Sequence, residues 1–411
     1  MGGTLPGMST SRARVVHEGA RVTPLELFFD LVFVYAITQV TQLMAADPTV
    51  RGVVRGMLLL ALLWWCWCCY SWLGNRVHAD DDGARIVLFG AMAVMLVASV
   101  TIPEAFDDLP GGLPGPLVFA ACYLVVRVLH LVSYWRFSQG DAALRRQLAV
   151  TCLPMLSGTV VLVTASFTSG LTQTALWALA LAVDYGGVLL TGVSGWRVHS
   201  AVHFAERYAL IVLIALGESI VAVGVGVADL PVSWPIVYGI VCGLVIAAAL
   251  WWAYFDVVAP TAERVLHAAS GARRAALARD SFTYLHLPMI AGIILLALGL
   301  KKTMNYLAGA DGHTPSEHLH GVGPYALYGG VLLYVLGHIG FRLRNLGSVN
   351  RVRVAMAVAL VVLTPVALLV PAWAALGVLT VACVLWIAVE VRVYGGARRE
   401  IRESIHAPAA H

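Results

Sequence analysis

The stretch VTPLELFFDLVFVYAITQV, residues 22–40, decides the fold class of this chain. Beyond its first few residues it is almost wholly apolar, and it is close to the roughly 20 residues that a bilayer-spanning helix needs. It also carries two carboxylates one helical turn apart, Glu26 and Asp30. An ionisable group inside a membrane span is costly, so each is a candidate ion, proton or substrate contact.

Working outward, the same apolar character recurs along the whole chain. Of 411 residues 60% are hydrophobic and only 12% charged, more apolar surface than a soluble core can hide. Spans are expected near 26–45, 53–74, 84–103, 116–137, 148–168, 173–193, 204–227, 235–255, 281–300, 324–343, 353–371 and 373–393, the last two sharing Pro371 at a short turn. The fold class is therefore an all-α polytopic membrane protein of about twelve transmembrane helices. Of the 27 Lys and Arg residues, only Arg51, Arg55, Lys301 and Lys302 fall on the side opposite the N-terminus, and Arg127 falls within a span. By the positive-inside rule both termini are cytoplasmic, the number of spans is even, and the protein sits in the cell membrane. Topology thus accounts for the net charge of +4, and no nucleic-acid partner is expected. Residues 1–22 are polar and basic with no apolar h-region, so no cleavable signal peptide is expected and the first helix serves as its own insertion signal. The seven cysteines all lie in expected spans. The cluster Cys66-Trp67-Cys68-Cys69 is read as small buried hydrophobes, and no cofactor is expected.

The chain reads as two copies of one unit. Glu206-Arg207-Tyr208-Ala209-Leu210 falls on Glu26-Leu27-Phe28-Phe29-Asp30, and Leu250-Trp251-Trp252 falls on Leu63-Trp64-Trp65. His338 and Arg342 near the end of the tenth span match His130 and Arg136 near the end of the fourth, and Glu390 echoes Asp184. Six spans per copy give two repeats of the same orientation, with a site expected between them. The divisions are an N-terminal tail at 1–25, a first repeat at 26–193, a linker at 194–203, a second repeat at 204–393 and a C-terminal tail at 394–411. The polar stretch 256–280 is expected to hold a short interfacial helix. The tryptophan pairs at 64–65 and 251–252 are expected to pack the repeat interface or line a cavity, and Gly217 and Gly292 to allow close helix approach.

Several polar groups fall inside the spans. Asp30 lies roughly 6 Å beyond Glu26 at 1.5 Å per residue. Among Phe28, Phe29 and Phe33 the two either share a proton or separate, Glu26 favouring the helix N-terminus and Asp30 accepting a bond that holds two helices together. Glu218 lies roughly 18 Å beyond Glu206, near the bilayer midplane. Arg127, at mid-span, needs an anionic partner, for which Asp184, Glu218 and Asp30 are eligible. His130, His286 and His338 lie at depths like those of Asp30 and Asp256, and histidine changes charge near neutral pH, so these groups could form a relay or could each be a hydrogen-bonded core residue. His199, His203 and Glu206, at i, i+4 and i+7, are candidates for a metal site, but a fourth ligand is missing. The alternative is a helix-start motif in which Glu206 pairs with an arginine.

Four motifs, ELFFDLVFVYAIT at 26–38, HFAERYALIVLIALGESIVAV at 203–223, WWAYFD at 251–256 and HLPMIAGII at 286–294, give the chain a close resemblance to the low temperature requirement A family over nearly its whole length. The resemblance implies a bacterial membrane protein and no settled reaction. The two-fold six-helix plan is also similar to that of lysosomal and bacterial potassium channels with an Arg/Phe-Ser-Asp signature. Here the triplet is Phe28-Phe29-Asp30, without the serine, so potassium selectivity does not carry over.

Two functions are weighed. The first is a transporter or channel moving a small ion, proton or small-molecule substrate between the halves, through Glu26, Asp30, Arg127, His130, Asp184, Glu206, Glu218, Asp256, His286 and His338. The second is an intramembrane enzyme acting on a lipid or isoprenoid, with the carboxylates and histidines as acid and base. No nucleophile motif or Asp-rich magnesium motif appears, which weighs against known enzyme classes. The partners expected are the lipid bilayer and the permeating species; assembly as a homo-oligomer is left open by the sequence.

Overall fold

The computed structural model describes residues 16–406 except Asp80 and Asp229, with side chains described as far as residue 396. Within them the helices run α1 Pro24–Ala46, α2 Val50–Gly74, α3 Asp82–Val100, α4 Gly115–Phe137, α5 Ala142–Ala165, α6 Gly170–Thr191, α7 Ala201–Val225, α8 Trp234–Phe255, α9 Val258–Ala268, α10 Gly271–Leu277, α11 His286–Ala308, α12 Gly323–Leu346, α13 Arg351–Ala367 and α14 Ala372–His406. A π-helical turn, Ala278–Tyr284, leads from α10 into α11.

Sequence chemistry sets these boundaries. Thr23 and Glu26 form a reciprocal capping box at α1, with Pro24 just inside the start, so donors that the first turn leaves unpaired are satisfied before the chain enters lipid. Ser200 caps α7 through the His203 N–H, and Asn350 caps α13 through Val352 and Arg353. Gly347, at φ 63°, stops α12 in the left-handed region that favours glycine.

Among the described residues, eleven helical segments are long and apolar enough to cross a bilayer. The seventeen residues of α13 reach roughly 25 Å at 1.5 Å per residue and fall on the expected span 353–371, with residues 368–371 turning into α14. The protein is a multi-pass membrane protein in a lipid bilayer. Side chains such as Leu31, Ile86, Leu153, Leu190, Val241 and Val358 are exposed on its outside, where acyl chains take the place of water. The expected interfacial helix is two short ones, α9 and α10, and the apolar side of α9 (Val258, Ala262, Leu266) is buried in the bundle itself.

The most enclosed helix is α11, which packs against α7 and α12 and also meets α1, α2, α8 and α14. Its approach to α12 is backbone on backbone: a Cβ on Gly330 would stand 2.5 Å from the Leu296 nitrogen, and one on Gly292 2.5 Å from that of Tyr334. Small residues thus bring two spans together where lipid offers no hydrophobic drive. Gly292 does what its sequence position suggests, whereas a Cβ on Gly217 would meet nothing within 4 Å. The tryptophan pairs also part company. Trp64 and Trp65 are buried, but Trp251 and Trp252 are 43% and 38% exposed on the outer face, so only the first pair packs inside.

Candidate functional site

Helices α1 and α7 run side by side in the same direction, and three polar couples are stacked along their contact. At the N-terminal end the His203 Nε2 lies 2.9 Å from Glu26 Oε1, while its Nδ1 meets Asn75 at 3.2 Å. One turn further, Arg207 donates to Asp30 Oδ1 at 2.9 Å, and the Trp67 indole N–H reaches the same oxygen at 2.8 Å. Deeper still, Thr38 donates to Glu218 Oε2 at 2.6 Å, roughly 12 Å beyond Asp30 along α1.

The first two couples share one spacing, 177 residues, because both advance four residues on each helix and so stay on the same faces. Glu26 and Asp30 therefore each have their own nitrogen partner from α7, which favours the helix-joining reading of Asp30 over a shared proton. Both side chains of the Asp30–Arg207 pair are at most 2% exposed. Among the described residues, Asp30 Oδ2 and the Nε and Nη1 of Arg207 find no hydrogen-bond partner, so the pair keeps unused donor and acceptor capacity in a low-dielectric place. A small cavity of about 20 Å³ touches Glu26 and Arg207. Another of about 10 Å³ joins Glu26, His203, Arg21 and His78.

A second cluster sits within the first six helices. Arg127 of α4 donates to Asp184 Oδ1 of α6 at 2.9 Å, and Tyr123 donates to the other oxygen at 2.6 Å. Of the three eligible carboxylates, Asp184 is thus the partner. His130 lies one turn along α4 between the rings of Tyr70 and Tyr134.

A third cluster joins α12, α13 and α14. Arg353 binds Glu390 at 2.8 Å and donates to His338 Nδ1 at 2.7 Å; Asn350 and Trp386 supply further donors to Glu390. His286 donates from Nδ1 to the Ser281 carbonyl, so its Nε2 accepts from Tyr254 OH at 2.9 Å.

The expected histidine group is divided. His286 and His338 flank the Tyr254 ring, each with centroids 5.7 Å away, and His130 stands apart on α4. An aromatic run connects Asp30 to the first of these: Trp67 packs on Tyr208 at 4.9 Å and Tyr208 on His286 at 5.3 Å. Thr283, in the π-helical turn, ties this run to α2. Its carbonyl accepts from Trp64, and its hydroxyl meets Trp72 and Tyr208. A π turn at such a junction is a common mark of functional sites.

The remaining candidates lie outside these clusters. Glu206 is half-buried and accepts from the Val22 N–H at 3.0 Å, and Asp256 is the half-buried residue that closes α8. His203 turns to Glu26 and Asn75, and among the described residues no three His, Cys, Asp or Glu side chains gather to hold a metal ion, so the i, i+4, i+7 set with His199 does not converge.

Sequence reasoning missed Arg207, Trp67, Thr38, Thr283 and Arg353. Arg207 and Arg353 were counted only as charges at the N-terminal side, although each lies inside its helix within a few residues of the start. The signal available was spacing: His203 and Arg207 repeat the four-residue step of Glu26 and Asp30.

The sequence profile of the bacterial low temperature requirement A protein (LtrA) matches residues 21–388. An uncharacterised protein of Rhizobium meliloti (strain 1021) is 30% identical over 285 residues, covering 67% of each chain. No solved structure matches.

Proposed function

The chain belongs to the bacterial low temperature requirement A family, and from that premise we propose that it is a proton- or ion-coupled permeation protein whose working groups line the contact between α1 and α7. The observation that carries this reading is the ladder of three polar couples, Glu26–His203 and Asp30–Arg207, which are buried, and Thr38–Glu218, which is half-buried at Thr38. Polar groups at such depth are expensive in lipid and are the usual markers of ion and proton paths. Side chains such as Phe33, Ile37, Ile211 and Val212 are buried on the same two helices between the second and third couples. That arrangement favours stepwise coupled movement over an open pore.

In this reading the segments 26–193 and 204–393 are parallel repeats whose first helices, α1 and α7, meet at the site. The arginine bias supports a cell-membrane protein with both termini in the cytoplasm. His203 and Glu26 would then be the groups nearest cytoplasmic water, and Glu218 the group that must change its proton or ion for a cycle to complete.

The test is flux. Purified protein in liposomes loaded with proton- and potassium-sensitive dyes is expected to dissipate an imposed gradient, and Glu218→Gln to slow this by ten-fold or more, about 1.4 kcal/mol in the barrier. Protein-containing liposomes that match empty ones under every gradient would overturn the reading.

A further inference from the structure

Away from the α1–α7 ladder, a cavity of about 70 Å³ opens between α2, α4, α5, α6 and the π-helical turn, lined by Trp65, Trp72, Trp196, Arg127, His130 and Arg279 among others. At roughly 10–15 Å³ per water centre, it has room for about five waters or one ring with a short arm. A lipid with its acyl chains is far larger. The walls are preformed: Trp65 is stacked on Tyr185 at 4.0 Å, and Trp72 meets Trp196 edge-on at 5.6 Å.

Two polar features distinguish this space from an ordinary packing gap. At its base His130 is 4% exposed, and among the described residues neither ring nitrogen makes a well-formed hydrogen bond, the backbone of Cys69 being its one weak polar contact, although buried polar atoms are nearly always paired. Arg127 beside it is already neutralised by Asp184. At the rim Arg279 donates to Asp280 Oδ1 at 2.8 Å while Arg344 takes the other oxygen at 3.0 Å. Two guanidinium groups thus share one carboxylate, and a positive charge is left over on partly exposed side chains. An anionic head fits this partly exposed rim, where it is paired, and not the apolar base, where burial would be costly.

We propose that the cavity binds a small hydroxyaryl or heteroaryl carboxylic acid. The carboxylate pairs with Arg279, the ring lies between Trp65, Trp72 and Trp196, and the ring hydroxyl or N–H meets His130. The site is separate from the α1–α7 ladder, so binding there stands or falls independently of transport.

The probe is 4-hydroxyphenylacetate, measured by equilibrium dialysis against the full-length protein in nanodiscs. Saturable binding is expected at or below millimolar concentration, and Val193→Trp, which fills the cavity from its half-buried wall, should abolish it. Wild type should prefer the acid over 4-hydroxyphenylacetamide by about ten-fold, the scale of one charge-assisted bond, and Arg279→Gln should erase that preference. Phenylacetate, lacking the hydroxyl, should bind several-fold more weakly to wild type, a comparison that needs no variant to fold. No saturable binding by wild type, equal binding by Val193→Trp, or equal binding of the acid and its amide would overturn the proposal.

Discussion

Replacing Asp30 by Asn removes the carboxylate that Arg207 pairs with at 2.9 Å, inside a site where both side chains are at most 2% exposed. Asn keeps a carbonyl oxygen for the Trp67 N–H, so the shape and one hydrogen bond survive; what changes is that a guanidinium, two of whose nitrogens lack partners among the described residues, stays buried without its hydrogen-bonded counter-charge, Glu26 acting on it only at longer range. Breaking a buried pair from one side costs about 3–5 kcal/mol. Arg207→Met, which strands the carboxylate instead, should cost about the same. The double variant removes both charges and leaves methionine to fill the space, and replacing a whole buried pair is often nearly neutral. With two single losses of that size and a nearly neutral double, the cycle should show a coupling of roughly 6–10 kcal/mol, well above the approximately 3 kcal/mol that is the ordinary upper end for residues in contact. The assay is reversible unfolding in mixed micelles with rising SDS fraction, followed by tryptophan fluorescence, on wild type, both single variants and the double. Additive losses within about 0.5 kcal/mol, or an Asp30→Asn protein as stable as wild type, would refute the argument that this pair joins α1 to α7.

Two further outcomes follow from the packing and the surface. Gly330→Ala should destabilise the α11–α12 contact by about 1–3 kcal/mol, because the new methyl meets helix backbone at 2.5 Å. Gly329→Ala, whose methyl meets nothing within 4 Å, should be neutral or slightly stabilising in the same unfolding assay. Glu18 clasps the segment before α1 to α7 and α10 through the Ala201 N–H at 3.0 Å and Arg274 at 2.8 Å, with His267 at 3.2 Å. Burial opposes its ionisation, but these donors outweigh it and hold the carboxyl below its ordinary value of 4.5. A lowered pKa contributes stability that is present above the unfolded value and lost as pH falls through the folded one. Hydrogen exchange of residues 16–23 should therefore quicken relative to the intrinsic rate as pH falls below that ordinary value, and Glu18→Gln should remove the dependence; a wild-type segment indifferent to this change would contradict the clasp.

The helical crossings were legible from the chain because lipid imposes one rule on every segment, about 20 apolar residues with all backbone groups bonded internally; their ends were not, the expected 148–168 and 281–300 being Ala142–Ala165 and His286–Ala308. The same rule marked Glu26, Asp30, Arg127, Asp184 and Glu218 as groups needing partners. It could not say which partners, since pairing joins positions as far apart as 177 and 180 residues and depends on which faces of two helices meet. Arg207 shows the difference. By position it reads as one more charge near the N-terminal side, and only the approach of α7 to α1 turns it into the counter-charge of Asp30. Composition and period are local properties, so the sequence alone determined that the chain crosses a membrane many times and where its costly polar groups lie. Partner choice is a long-range property of packing, and only the tertiary structure decided that those groups form three separate clusters and that a tryptophan-walled cavity lies beside one of them.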